Sequence, residues 1–528
     1  MPTLWAHESS VVLVSESAGL LKQAADRATM PPGRVAMAGI AQGQQVQSVT
    51  TPLGPDVFLL AGLTGREAIS QLFSYQLDLV ADNDRDVPLD RLVGQPISVD
   101  LALPNGGTRS FDGIVSRITQ GARSLRSTAY GAEVVPWLWL LTRKQQSRIF
   151  AHRSVPEILS DVLAGFGEVE NRLTGAYQAR DYCVQYRESD FSFASRLMEE
   201  EGIFYFFRHT QGGHTMVLGD SPAAHPDVPG TRIVAFDPTG TGKDAAQSVF
   251  SWAKTQELRS GKVTLWDNNF QLPDDHLQGQ ATIRESVRAG QVTHNLRVGG
   301  NGALELYDYP GGYAERFDGI DSGGGEQPAE LQKIFDAARQ TAAVRMDTEA
   351  LPSLVIEGRS NSRTLTAGHR FALSGHFNAD GGYVLTSVDH TVSVRDPKAG
   401  ERGLQYENSF TCIPEALPFR PPRVTPEPVI HGTQTAVVVG PAGQQSFTDK
   451  YGRVKVQFRW DRQGQRSSDS SCWIRVAQPF SGDGHGVVWR PEIGDEVVVA
   501  FEEGDPDRPV ILGSVWNPRR LPPLQAAQ

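Results

Sequence analysis

Arg453-Val-Lys-Val-Gln-Phe-Arg-Trp460 is the cleanest alternation in the chain: Val454, Val456, Phe458 and Trp460 point one way, Arg453, Lys455, Gln457 and Arg459 the other. Side chains of a strand alternate between two faces, so this pattern predicts a strand with one apolar and one polar face. Thr435-Ala-Val-Val-Val439, Cys472 to Pro479, Glu496 to Phe501 and Pro509 to Trp516 surround it. Five short strands in about 80 residues fit a small closed barrel of the OB type.

Upstream, six prolines between Ile413 and Pro428 fix φ and remove ladder donors, which marks the clearest domain boundary. Before them the chain is again rich in short strands. Phe73, Tyr75, Leu77 and Leu79 alternate with Ser74, Gln76, Asp78 and Val80; Ile97 to Leu103 and Arg109 to Ile118 flank Pro104-Asn-Gly-Gly107, a hairpin signal. Two helices interrupt the strands. Ser154 and Pro156 open one over Val155 to Leu163, and Ser189 opens another that runs to Glu201 and stops at Gly202, just before the apolar run Ile203 to Phe207. A third spans about Ala329 to Met346. Residues 1–47 carry little periodicity beyond a short helical stretch around Leu20 to Thr29.

Composition narrows the function. With 53 glycines and 33 prolines in 528 residues the chain is turn-rich, and its net charge of −11 opposes contact with phosphate backbones or anionic lipid. No apolar window is long enough to span a bilayer, and no basic, then apolar leader opens the chain, so synthesis in the cytoplasm without Sec export is expected. Cys183, Cys412 and Cys472 are too few and too far apart for a disulfide framework or metal knuckle and read as small buried hydrophobes.

Residues that carry chemistry elsewhere read here as structural. Gly240-Thr-Gly-Lys-Asp244 lacks the first glycine of a phosphate loop and has Asp244 where Ser or Thr belongs. Glu502, Glu503, Asp505 and Asp507 fall between two strands and read as a solvated turn rather than a cation site. His152, His209, His376 and His485 are isolated at turns or strand ends. No catalytic, cofactor or metal residue is assigned, and a Ser-His-Asp triad assembled across sequence distance stays open. Residues 431–520 carry equal numbers of acidic and basic side chains, unlike a strand-binding groove, and Phe458 and Trp460 read as barrel core rather than a stacking platform.

Asp449-Lys-Tyr-Gly-Arg-Val-Lys-Val-Gln-Phe-Arg-Trp460, Cys472-Trp-Ile-Arg-Val-Ala-Gln478, Pro491-Glu-Ile-Gly-Asp-Glu-Val-Val-Val499 and the closing Gly504 to Asn517 resemble the OB-fold collar of VgrG, the type VI secretion spike family. Leu72-Phe-Ser-Tyr75, Leu92-Val-Gly94, Phe111-Asp-Gly-Ile-Val115, Pro136-Trp-Leu-Trp-Leu140, Tyr182-Cys-Val-Gln-Tyr186 and Arg196 to Ile203 resemble its phage-tail hub. The resemblance implies a mainly β chain with some α: an unmatched extension at 1–47, a hub of two barrel subdomains with helical insertions at 48–425, a collar at 430–517 and a tail at 518–528. It further implies a homotrimer, not an enzyme, that caps the hexameric Hcp tube and punctures a target membrane when the sheath contracts. Effectors or adaptors are further partners, nucleic acid is not, and the protein would be cytoplasmic until secreted by the type VI system. It makes Glu199 to Glu201 an interface feature. The family's long β-helix needle would follow residue 517, so the chain reads as a truncated form or a member whose needle is supplied otherwise, and a PAAR-repeat tip is not expected on it. The alternative is a glycan-binding or peptidoglycan-acting phage-tail-like protein.

Overall fold

The computed structural model describes residues 47–55, 57–103, 106–239, 247–394 and 404–523. The stretch around Leu20 to Thr29, Pro104 and Asn105 of the hairpin, and the Gly240 to Asp244 loop lie outside the described residues.

Twelve strands form one continuous sheet. Its spatial order is Gln47–Thr50, Pro96–Ala102, Thr108–Arg123, Ser127–Val135, Ser74–Asp82, Leu59–Ala68, Gly381–Val394, Arg370–Ser374, Ile233–Phe236, Ser248–Gln256, Leu354–Ser360 and Leu404–Pro414. The last strand pairs back onto Gly381–Val394, with Val388 opposite Phe410, so the second six strands close into a barrel. The first six wrap a separate core that includes Phe58, Tyr75, Leu77, Leu79, Val99 and Phe111, helped by two bulges in the long strand Thr108–Arg123 that sharpen its twist. The barrels join where Leu59–Ala68 pairs antiparallel with Gly381–Val394, Leu63 opposite Val392. This is the expected double barrel, and the alternation over Ser74–Asp82 holds: Tyr75, Leu77, Leu79 and Ala81 are buried.

Helix α1, Val155–Leu163, begins where the Glu157 carboxylate accepts the Ser154 N–H (2.8 Å) and Oγ–H (2.7 Å), and it buries Val155, Ile158, Leu159, Val162 and Leu163. Helix α2, Asp190–Glu201, is capped by Ser189 Oγ, which accepts the Ser192 N–H (3.0 Å). It ends at Gly202 in the left-handed region, φ 70°, where a Cβ would come within 2.9 Å of Val344. The run that follows is the strand Phe204–Thr210, paired with Gly213–Gly219. Helix α3, Lys333–Ala350, extends a 3-10 turn at Pro328–Gln332. Among the described residues no helix is long and apolar enough to cross a membrane.

The C-terminal barrel orders its strands Lys455–Phe458, Gln434–Val439, Glu496–Phe501, Pro509–Val515 and Arg475–Val476. A bridge closes the ring: Val454 N–H donates to Ile474 O (3.1 Å) and Ile474 N–H to Val454 O (2.8 Å). Val438, Val456, Phe458, Ile474, Val497, Val499 and Ile511 fill it. This is a five-stranded OB barrel.

The polar face of the 453–460 run is not solvated, because Arg453, Lys455 and Gln457 are as buried as the valines between them. Only Arg459 stays exposed on that face. The proline stretch, though it lacks helix and strand over 415–433, buries Leu417, Phe419 and Pro421 against the double barrel.

Candidate functional site

The most elaborate chemistry in the chain lies where the C-terminal barrel sits on the double barrel. Arg453 leaves the barrel wall and grips Asp318 through both terminal nitrogens (2.6 and 2.9 Å), while its Nε donates to Asp449 (2.6 Å). Its guanidinium also lies 5.0 Å from the ring centre of Phe270. A planar fork matched to a carboxylate fixes direction as well as distance. The same register explains Lys455, whose ammonium sits over the Trp473 ring (5.0 Å), and Trp473 in turn donates its Nε1–H to Asp321 O (2.8 Å).

A second fastening holds the turn before the last strand. Asp507 Oδ1 accepts the Val184 N–H at 2.7 Å, across the two domains. The reading of Glu502 to Asp507 as a solvated turn therefore fails for Asp505 and Asp507, which face a cleft between the domains rather than bulk water. Burial pushes both carboxyls up.

The third fastening uses the three glutamates that end α2. Carboxylates at a helix C-terminus oppose its dipole, so each needs a compensating partner. Glu199 reaches the proline stretch and accepts the N–H groups of Val424 (3.1 Å) and Thr425 (3.0 Å) and the Thr425 hydroxyl (2.7 Å). Arg180 donates to Glu200 (2.8 Å) and Glu201 (2.5 Å), Arg316 to Glu201 (3.1 Å), and Arg196 to Glu188 (2.9 Å). Burial alone would raise the Glu200 carboxyl, but Arg180, Arg196 and Arg316 hold it well below the usual carboxylate range.

Trp460 belongs to the same joint. It stacks on Phe458 (5.3 Å between ring centres), donates Nε1–H to Gln434 (2.9 Å) and meets Tyr186 edge-on (5.6 Å). An aromatic stacked on the barrel core and tied to the hub in this way serves the joint rather than a base or sugar ring.

A second buried network sits at the seam of the two barrels, and no local sequence signal marks it. Glu67 accepts hydrogen bonds from Arg109 (3.0 Å), Tyr75 (3.1 Å) and the backbone of Ala367 (3.2 Å), and His390 Nε2 faces it at 3.1 Å. Burial would raise the Glu67 carboxyl, yet Arg109 and His390 hold it well below the usual range. His209 Nδ1 accepts the Asp112 N–H (3.2 Å), which leaves its proton on Nε2 toward Tyr75. Burial, with Arg109 nearby, keeps this ring neutral.

One Ser, His and Asp do converge. Ser98 Oγ and His214 Nδ1 (2.7 Å) both hydrogen-bond the Asp112 carboxylate. His214 Nε2 accepts the Trp137 N–H (3.0 Å). The carboxylate stands between serine and histidine, so the serine has no base, and the arrangement is a buried brace rather than a charge relay. His152 pairs with Asp181, His376 stacks on Phe377, and His485 is exposed. Among the described residues no group of three or more potential ligands could hold a metal ion. Cys183 and Cys412 are fully buried, and burial pushes the Cys183 thiol up to about 12.

The chain matches two families along its length. Residues 66–396 match the phage tail baseplate hub (GPD), and residues 436–516 match the type VI secretion system/phage-baseplate injector OB domain. The chain is 41% identical over 483 residues to the type VI secretion system spike protein VgrG1a of Pseudomonas aeruginosa, covering 90% of this chain and 70% of that one. It is 39% identical over 490 residues to VgrG1c of the same organism, covering 92% and 63%. The chain thus spans between about three fifths and seven tenths of the length of these curated relatives. Its fold is shared with an Escherichia coli type VI secretion component described as structurally similar to the T4 tail proteins gp27 and gp5 (TM-score 0.57, 20% identity, 89% of this chain and 99% of that one). It is shared as well with a chain of the Francisella PdpA–VgrG complex (TM-score 0.56, 8% identity, 92% and 80%). With both families in order and identity of this extent, the chain belongs to the VgrG family of type VI secretion system spike proteins.

Proposed function

We propose that this chain forms the hub and collar of a homotrimeric type VI spike that caps the Hcp tube and is driven outward with it. The observation that carries the reading is the double barrel: two barrels side by side in one continuous sheet give three chains six barrels, a pseudo-sixfold face for a hexameric ring. The joint described above suits the same role, since directional ion pairs and cross-domain backbone contacts transmit force without hinge motion. The chain acts mechanically rather than catalytically, and effectors or adaptors would bind the assembled spike, which leaves the cell through the secretion apparatus. Co-sedimentation with assembled Hcp tubes tests it. Binding at one chain trimer per tube end is expected, and purified protein left wholly in the supernatant would refute it.

A further inference from the structure

Glu315 lies in the short turn Ala314–Arg316, on the wall of a cavity of about 310 Å³ between hub and collar. Arg508, Asp505 and Asp507 face that cavity from the collar. From the hub strand Lys262–Asp267, Asp267 approaches the same point, its Oδ2 accepting the N–H groups of Tyr313 (2.9 Å) and Ala314 (3.0 Å). The single guanidinium of Arg508 thus stands among Glu315, Asp267, Asp505 and Glu502. It donates to Glu502 (3.0 Å), while its Nη1 is buried without a hydrogen-bond partner.

Most of the other cations around the cleft are committed, and Arg423 faces Glu200 and Glu427 from the linker without an ion pair among the described residues. Arg180 and Arg196 pair with Glu200, Arg316 with Glu201, and Arg345 with Asp308. Arg423 and Glu427 line the linker side and Tyr182 the strand side. Among the described residues Glu315 has no ion-pair partner. Immediately around Arg508, carboxylates from the two domains therefore outnumber the one guanidinium they share, in a cleft partly shielded from water. Burial and the facing Asp267 and Asp505 push Glu315 up to about 7.

We propose that the docked hub–collar joint holds a proton on Glu315, so that acid tightens the docking and alkali loosens it by placing like charges on both sides of the cleft. The sign follows from linkage. The docked state binds more protons than the undocked state from the ordinary carboxylate range up to about 7, so docking weakens as pH rises through that window. Asp181, pushed up to about 6 by burial and Asp318 and faced by His152, Lys455 and Arg453, adds a smaller effect of the same sign on the other flank. The inference concerns the joint alone and does not rest on the secretion role.

Hydrogen exchange tests it on the full chain, corrected for intrinsic exchange rates, at N–H groups that report docking: the Val184 amide, bonded to Asp507, and the Trp473 indole, bonded to Asp321 O (2.8 Å). Between pH 6 and 8.5 their protection is expected to fall about tenfold in the unaltered protein and no more than about threefold in Glu315→Gln. Amides of Ser74–Asp82 in the first barrel serve as the reference that does not follow. A fall under about threefold in the unaltered protein, or an undiminished fall in Glu315→Gln, overturns the proposal. Should that variant not fold, Asp505→Asn removes one facing charge and must lessen the fall; an unchanged fall again overturns it.

Discussion

Arg453 of the collar holds Asp318 of the hub by two parallel hydrogen bonds, 135 residues apart in the chain, with both side chains withdrawn from water. Removing one member of a buried pair leaves the other charge stranded, which costs about 3–5 kcal/mol. Arg453→Met strands both Asp318 and Asp449. Urea denaturation should show the collar unfolding in a separate, earlier transition, whereas Arg459→Met, on the exposed position of the same run, should leave the profile unchanged.

Glu199 holds the linker by three hydrogen bonds. Bonds to a charged acceptor contribute about 1.5–3 kcal/mol each before relaxation. In Glu199→Ala, limited proteolysis within 420–430 should accelerate by at least about tenfold while cleavage elsewhere stays constant.

Glu67→Leu breaks the seam between the barrels, leaving Arg109 buried without its carboxylate. A loss of about 3–5 kcal/mol in global stability is expected from chemical denaturation, because the stranded charge lies in the core rather than at a joint.

The hub histidines respond to pH with the opposite sign from Glu315. Burial lowers His225 and His369 to about 4 each. The unfolded chain binds protons on them at ordinary histidine pH, so folded stability present above about 6.5 is lost as pH falls toward 4, by up to about 3 kcal/mol per residue. The urea midpoint of the hub transition should drop between pH 7 and 4.5.

Gly202 ends α2 with φ 70°, and a Cβ there would press on Val344 and Arg420. Gly202→Ala should cost at least about 1 kcal/mol by thermal melting and disturb the Arg420 contact with Gly202 O (2.9 Å).

Local patterns were legible. The alternation in Ser74–Asp82 and around Val456, the Ser154 and Ser189 caps, and Gly202 all mark their elements because each depends on residues within one or two turns. What the far side of a strand meets is not local. Arg453, Lys455 and Gln457 look like a solvent face until Asp318 and the hub close over them, and Asp507 looks like a turn carboxylate until Val184 arrives from 323 residues away. The seam around Glu67 is hidden for the same reason: His390 lies 323 residues from it, on a strand whose pairing only the sheet order reveals. The glutamate run at 199–201 was partly visible, since three carboxylates at a helix C-terminus demand partners, but only the fold shows that Glu199 serves the linker while Glu200 and Glu201 serve arginines.

In the proposed assembly, two barrels per chain build a sixfold-like face from three chains. Electron-microscopy class averages of the purified particle, viewed down its axis, test it most directly. Threefold averages with six barrel densities in the hub ring, at the mass of three 57.6 kDa chains, are the predicted result. A monodisperse single-chain particle with no rotational symmetry, at micromolar concentration and in the presence of Hcp rings, would contradict it.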